Sequence, residues 1–244
     1  MRLTLSLWAL AFVALPVYAQ QPTPSSAAPV SPPVGQGMNG DWANVGRYRD
    51  ANQPLIAAPA PMRVVFMGDS ITEGWARESF IKDNPTYVAR GISGQTAPQM
   101  LVRFRSDVIA LKPAIVHIMA GTNDVAQNTG PEAPAEIEGY ITSMVELALA
   151  NKIKVVLASI PPAKEFYWHP GLQPAAQIRA LNDWLREYAA SRRLAYIDYW
   201  SVLATPDGAM KPQYSADGVH PNAAGYEAMR PLAKAAIESA LRRR

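Results

Sequence analysis

Residues 64–70 read Val64-Val65-Phe66-Met67-Gly68-Asp69-Ser70 and run on into Ile71-Thr72-Glu73-Gly74-Trp75. The apolar run at 63–67 is short and Val-rich, as in a strand buried on both faces. It stops at Gly68 and presents Asp-Ser, which puts one hydroxyl at the carboxyl end of a strand, where open α/β sheets bind ligands. Alone, Ser70 reads equally well as a helix cap.

Outward from that stretch the chain alternates. Further strands are expected at 86–89, 114–120, 154–159 and 195–198, and helices at 75–81, 97–105, 133–151, 173–192 and 222–241. Such alternation implies a parallel sheet with helices on both faces, and right-handed crossovers place every strand's carboxyl end on one edge. Four unusual segments then meet there: Gly68-Asp69-Ser70, Gly91-Ile92-Ser93-Gly94-Gln95-Thr96, Gly121-Thr122-Asn123-Asp124 and Asp217-Gly218-Val219-His220-Pro221-Asn222.

The amino-terminal part reads differently. In residues 1–19, Arg2 precedes an apolar core, Pro16 breaks it and Val17-Tyr18-Ala19 offers small residues for cleavage, so a signal peptide and export are expected. Residues 20–37 are a Pro-rich leader that cannot bury a core. Gly35-Gln36-Gly37-Met38-Asn39-Gly40 matches the dinucleotide fingerprint in letters but lacks a preceding strand, and is discounted. Residues 38–62 form an extension, with Trp42, Val45 and Tyr48 spaced for a short helix over 41–51 that packs on the domain at 63–244.

Composition narrows the chemistry. With 49% hydrophobic and 18% charged residues among 244, one well-buried domain is expected. Cys is absent, which removes disulfides, thiolate metal sites and a cysteine nucleophile. The formal charge of +3 rests partly on Arg242-Arg243-Arg244, and no basic stripe interleaves with aromatics, so nucleic acid is not an expected partner. No membrane span is expected after signal cleavage.

Serine-based acyl transfer needs a base, a group that orients it and donors for the oxyanion. Only three His are present. His117 lies inside an apolar strand and reads as a core residue. His169 sits in the aromatic loop Phe166-Tyr167-Trp168-His169-Pro170 with nothing placed to orient it. His220 has Asp217 three residues before it, a spacing at which a carboxylate accepts from Nδ1 in a tight turn. An ordinary Asp-Gly turn is the alternative. Gly94 and Asn123 offer donors beside the Ser70 amide, although a turn and a helix cap would also explain them.

Together the four segments resemble, in order, the blocks of the SGNH hydrolases, the GDSL esterase and lipase family. Gly68-Asp69-Ser70 is similar to the first block, Ile92-Ser93-Gly94 with Thr96 to the second, Gly121-Thr122-Asn123-Asp124 to the third and the Asp217–His220 segment to the fifth. Gln95 departs from the pattern, standing where many members carry Asp. The resemblance implies a flavodoxin-like, doubly wound three-layer α/β/α sandwich with a five-stranded parallel sheet. It also implies a catalytic set of Ser70, Asp217 and His220, with an oxyanion hole from Ser70, Gly94 and Asn123.

No Gly-x-Ser-x-Gly elbow, His-Glu-x-x-His or Gly-Lys-Ser/Thr motif occurs, so neither metal nor cofactor is expected. The implied substrate is a small-molecule, polysaccharide or lipid ester. Trp168 and His169 are candidates to touch it, as a stacking surface for a sugar or as the wall of an acyl groove. A short-acyl carbohydrate esterase and a lysophospholipase or thioesterase stand level, with an inactive binding module of the same fold as the reading of another class. Oligomeric state is left open.

Overall fold

The computed structural model describes residues 40–58 and 62–242; the expected signal peptide at 1–19 and the expected leader at 20–37 lie outside them. Five parallel strands form one sheet in the order β2-β1-β3-β4-β5. They are β1 (Val64–Gly68), β2 (Tyr87–Gly91), β3 (Ile115–Met119), β4 (Lys154–Ala158) and β5 (Ala195–Ile197). Val64 pairs with Tyr87 and Ile115, and Gly68 with Gly91 and Met119, so the strands end level at the edge where the four segments gather.

Side chains leave each strand alternately for the two faces. Val65, Met67, Val116, Ile118, Val155 and Leu157 pack with Met100, Phe104, Ile141, Met144 and Leu181. These come from α4 (Ala97–Asp107), α6 (Pro134–Ala150) and α7 (Ala175–Ser191). Val64, Phe66, Ile115, Met119 and Val156 face Trp75, Tyr199, Met229 and Ile237. Those belong to α2 (Ser70–Trp75), α8 (Tyr199–Leu203) and α9 (Ala223–Arg242). This is the doubly wound α/β/α sandwich that the alternation and the resemblance imply.

Two local expectations are corrected. The helix expected at 75–81 is instead α2 followed by α3 (Ser79–Lys82), because the buried Asp69 carboxylate caps the Ile71 amide and starts the helix at Ser70. The extension helix is α1 (Arg49–Ala57) rather than 41–51: residues 41–48 form turns around Asp41, which accepts from the Val45 and Gly46 amides. Its one fully buried residue is Asn52, so no apolar stripe announces it. Among the described residues no helix is long and apolar enough to cross a membrane.

Candidate active site

Ser70 is the first residue of α2, where the chain turns off β1. Its amide falls in the first helical turn, which leaves the helix's leading N–H groups without intrahelical partners. The Ser70 hydroxyl lies 2.9 Å from His220 Nε2, and His220 Nδ1 lies 2.7 Å from Asp217 Oδ2. The turn carrying Asp217 is self-braced: its Oδ1 accepts from the Val219 and His220 amides at 2.9 and 2.8 Å and from the Ser215 hydroxyl at 3.0 Å. Partial burial raises the Asp217 carboxyl, but the His220 amide and ring and the Val219 amide outweigh it and hold it at about 2. Asp217 is therefore ionised at neutral pH and orients a ring that faces the serine, the geometry for proton abstraction from a hydroxyl.

Gly94 sits at φ +77°, in the left-handed region that glycine adopts without strain. Asn123 lies within the short helix α5 (Thr122–Val125), whose N-cap is Gly121, so capping is not its role. Its Nδ2 lies 3.0 Å from the Gln95 carbonyl oxygen and 3.3 Å from Asp69 Oδ2. Burial pushes Asp69 up to about 6 against the pull of the Ile71 amide and the His220 ring. Ser70, Gly94, Asn123 and His220 all line one open cleft of about 570 Å³.

The aromatic loop divides its residues. Phe166 is fully buried in the core, while Tyr167, 63% exposed, and Trp168 line the cleft. The Trp168 ring stands 6.2 Å from that of His220, centroid to centroid. His169 is half-buried beside the cleft, and its Nδ1 donates to the Ala126 carbonyl at 2.8 Å, which ties the loop to the end of α5. His117 is buried in β3, with Nε2 3.0 Å from the Tyr199 hydroxyl, and burial holds its ring down at about 3.

Several contributors escaped the sequence reading. Asn128 lines the cleft and bonds to Gly94, Asn123 and Trp168. Arg103 is fully buried and joins the two reactive loops: its Nη2 donates to the Gly68 carbonyl and its Nε to Gln95 Oε1, with Asp107 as counter-ion at 3.0 Å. Gln95 passes the contact on, donating to the Ala43 carbonyl at 2.7 Å. A buried Arg in an otherwise amphipathic helix is the one sequence signal of this, and its partners lie in other elements. Among the described residues no three His, Asp or Glu side chains stand where they could hold a metal ion.

The profile of the GDSL-like Lipase/Acylhydrolase family matches residues 66–228. The chain belongs to that family. A solved GDSL-like lipase from Bacteroides thetaiotaomicron superposes with a TM-score of 0.76 at 47% identity, covering 81% of this chain and 98% of its own. An acetylxylan esterase from Geobacillus stearothermophilus is 27% identical over 201 residues, 67% of this chain and 88% of its own length. Esterase TesA of Pseudomonas aeruginosa is 27% identical over 183 residues, 68% and 83% respectively. This GDSL-family chain is thus a carboxylic ester hydrolase.

Proposed function

We propose that the protein is an exported esterase that removes short acyl groups, acetyl above all, from carbohydrate esters through an acyl-enzyme on Ser70. The observation that carries the mechanism is the unbroken chain from Ser70 Oγ through His220 to Asp217, at 2.9 and 2.7 Å. His220 Nε2 takes the hydroxyl proton as Oγ attacks the ester carbonyl carbon, and the oxyanion is received by the Ser70 and Gly94 amides and by Asn123 Nδ2, which exchanges its 3.3 Å contact with Asp69 Oδ2 for it. The imidazolium returns the proton to the leaving alcohol. Water, deprotonated by the same ring, then releases the acid.

The cleft wall supports the substrate class. Its lining includes Arg77, Glu78, Ser93, Asn128 and Asn222 with the Tyr167 and Trp168 rings and, among the described residues, contains no Leu, Ile, Val, Met or Phe. The apolar surface there is aromatic rather than aliphatic, which suits the face of a sugar ring flanked by hydrogen-bonding groups better than a long flexible acyl chain. The similarity to an acetylxylan esterase supports the same reading, and the signal-like residues 1–19 support export.

The test is the rate of hydrolysis of p-nitrophenyl esters from acetyl to palmitoyl, with acetylated xylan as the natural-type substrate and Ser70→Ala alongside. Activity is expected to peak at acetyl, extend to the polysaccharide and vanish in Ser70→Ala. A peak at medium or long chains would instead mark a lysophospholipase or thioesterase. Retained activity in Ser70→Ala would remove the nucleophile assignment.

A further inference from the structure

The indole N–H of Trp168 donates and never accepts, so its hydrogen bond has one possible direction. Its Nε1 lies 2.9 Å from Asn128 Oδ1, which makes that end of the Asn128 amide the oxygen and the other the NH2. Asn128 Nδ2 then donates at 2.9 Å to Asn123 Oδ1 and at 3.1 Å to the Gly94 carbonyl. With its oxygen engaged there, Asn123 must direct its own Nδ2 the other way, toward Gln95 O and Asp69 Oδ2. Two amides whose oxygen and nitrogen are sterically interchangeable are thus ordered in series by one indole proton.

We propose that Trp168 and Asn128 are positioning residues of the oxyanion hole: the indole sets the Asn128 amide, and Asn128 sets the Asn123 donor and tethers Gly94. This rests on the reading of Asn123 as an oxyanion donor. It also joins two parts of the site, because the same Trp168 lines the cleft beside His220, so the wall that meets substrate orders the group that stabilises the transition state.

The chemistry makes an unusual demand at position 128. In Asn128→Ala the Asn123 amide loses its guide but is free to sample the productive orientation. In Asn128→Asp a near-isosteric carboxylate still accepts from Trp168 but has no hydrogen to give. Facing it, the Asn123 amide inverts to donate, and its oxygen takes the place of the NH2 beside Gln95 O and Asp69 Oδ2, so no donor remains there for the developing oxyanion. The smaller perturbation in shape is therefore the larger one in rate. A residue that merely fills space would show the reverse order.

The experiment is steady-state kinetics on p-nitrophenyl acetate, with thermal midpoints, for Asn123→Ala, Asn128→Ala, Asn128→Asp, Trp168→Phe and the Trp168→Phe/Asn128→Asp double variant. Asn123→Ala, as loss of one oxyanion donor, is expected to lower kcat by about 10²–10³. Asn128→Asp is expected to lower kcat by about 10² with little change in KM, and Asn128→Ala by about tenfold. Trp168→Phe is expected to lower kcat and, as a wall residue, to raise KM. The double variant should have the kcat of Asn128→Asp alone, since the two act in series.

If Asn123→Ala loses kcat while Asn128→Asp and Trp168→Phe keep theirs, the relay is overturned and the oxyanion reading stands. Additive losses in the double variant, or Asn128→Ala slower than Asn128→Asp, overturn it as well. Should Asn123→Ala itself keep kcat, the oxyanion reading falls and takes the relay with it.

Discussion

Two carboxylates at the reactive edge are driven in opposite directions. Asp217, with two amides and a ring donating to it, is held at about 2. Asp124 is fully buried, and desolvation, outweighing the Ala97 amide that donates to its Oδ1 at 2.8 Å, pushes it up to about 8. Its Oδ2 and Glu132 Oε2 each lack a partner as bare acceptors, while the two carboxyls lie close enough to interact. A protonated Asp124 donating to Glu132 satisfies both. Unfolded, Asp124 would titrate near 3.9, so between about pH 4 and 8 the folded chain keeps a proton that the unfolded chain has lost. Stability falls as pH rises through that window. Asp69, raised to about 6, acts in the same sense in any variant that retains it. In Asp124→Asn the carboxamide still accepts from Ala97 and donates to Glu132 without titrating. Its melting temperature is expected to fall less than the wild type's between pH 5 and pH 8, and parallel pH curves would sink the assignment. Position 124 was legible in the sequence as part of Gly121-Thr122-Asn123-Asp124. Its protonation was not, because that depends on burial and on a Glu eight residues later.

Helix α2 has six residues, well below the ~12 that an isolated helix needs in water, so tertiary contacts hold it. Trp75 is its largest anchor: fully buried, it stacks on Phe80 and Tyr226 at 5.4 and 5.8 Å between centroids and meets Phe66 and Tyr199 edge-on at 5.9 Å. The Tyr226 hydroxyl donates to the Ile71 carbonyl at 2.9 Å. From below, Gly91 at the end of β2 lies so near that a Cβ there would stand 2.2 Å from the Glu73 nitrogen and 2.6 Å from the Asp69 carbonyl oxygen. Those are backbone atoms, which no rotamer change can move aside. Gly91→Ala is therefore expected to cost about 1–3 kcal/mol of stability and, by shifting the helix that carries Ser70, to lower kcat. Unfolding in urea and esterase kinetics on the same preparation check both, and an unchanged kcat would mean that α2 does not transmit the strain. The strand before this helix was legible as an apolar run ending in Gly-Asp-Ser. The helix was not: the apolar spacing of Trp75 to Ile81 suggested one further on, and the Asp69 cap starts it earlier.

Across the whole molecule, the strands and long helices follow from apolar periodicity, which is a local property of sequence. The polar framework beneath the site is assembled from distant positions and leaves no such trace. Arg103 reaches Gly68 and Gln95, Gln95 reaches Ala43, and Asp107 joins Arg103 to Asn52, which in turn receives Arg90 Nε and Nη2 at 2.9 and 2.7 Å. Tyr48 adds a hydroxyl to the Gly91 carbonyl and its ring beneath Arg90 at 4.6 Å. The extension at 40–58 is thus part of the support for the reactive loops, and Asn52 is its keystone: one side chain that accepts from a buried guanidinium and donates to a buried carboxylate. Asn52→Ala leaves both charges short of a partner in a place water does not reach. Each such group costs on the order of 1–3 kcal/mol or more, so a loss of about 2–4 kcal/mol is expected, read as a lower urea midpoint with an unchanged slope. Asn52→Asp separates the contributions. It keeps the acceptor for Arg90 but sets a second carboxylate against Asp107, so it should recover part of the loss and no more. If Asn52→Ala unfolds at the wild-type midpoint, the extension is merely laid on the domain and the buried charges find other partners.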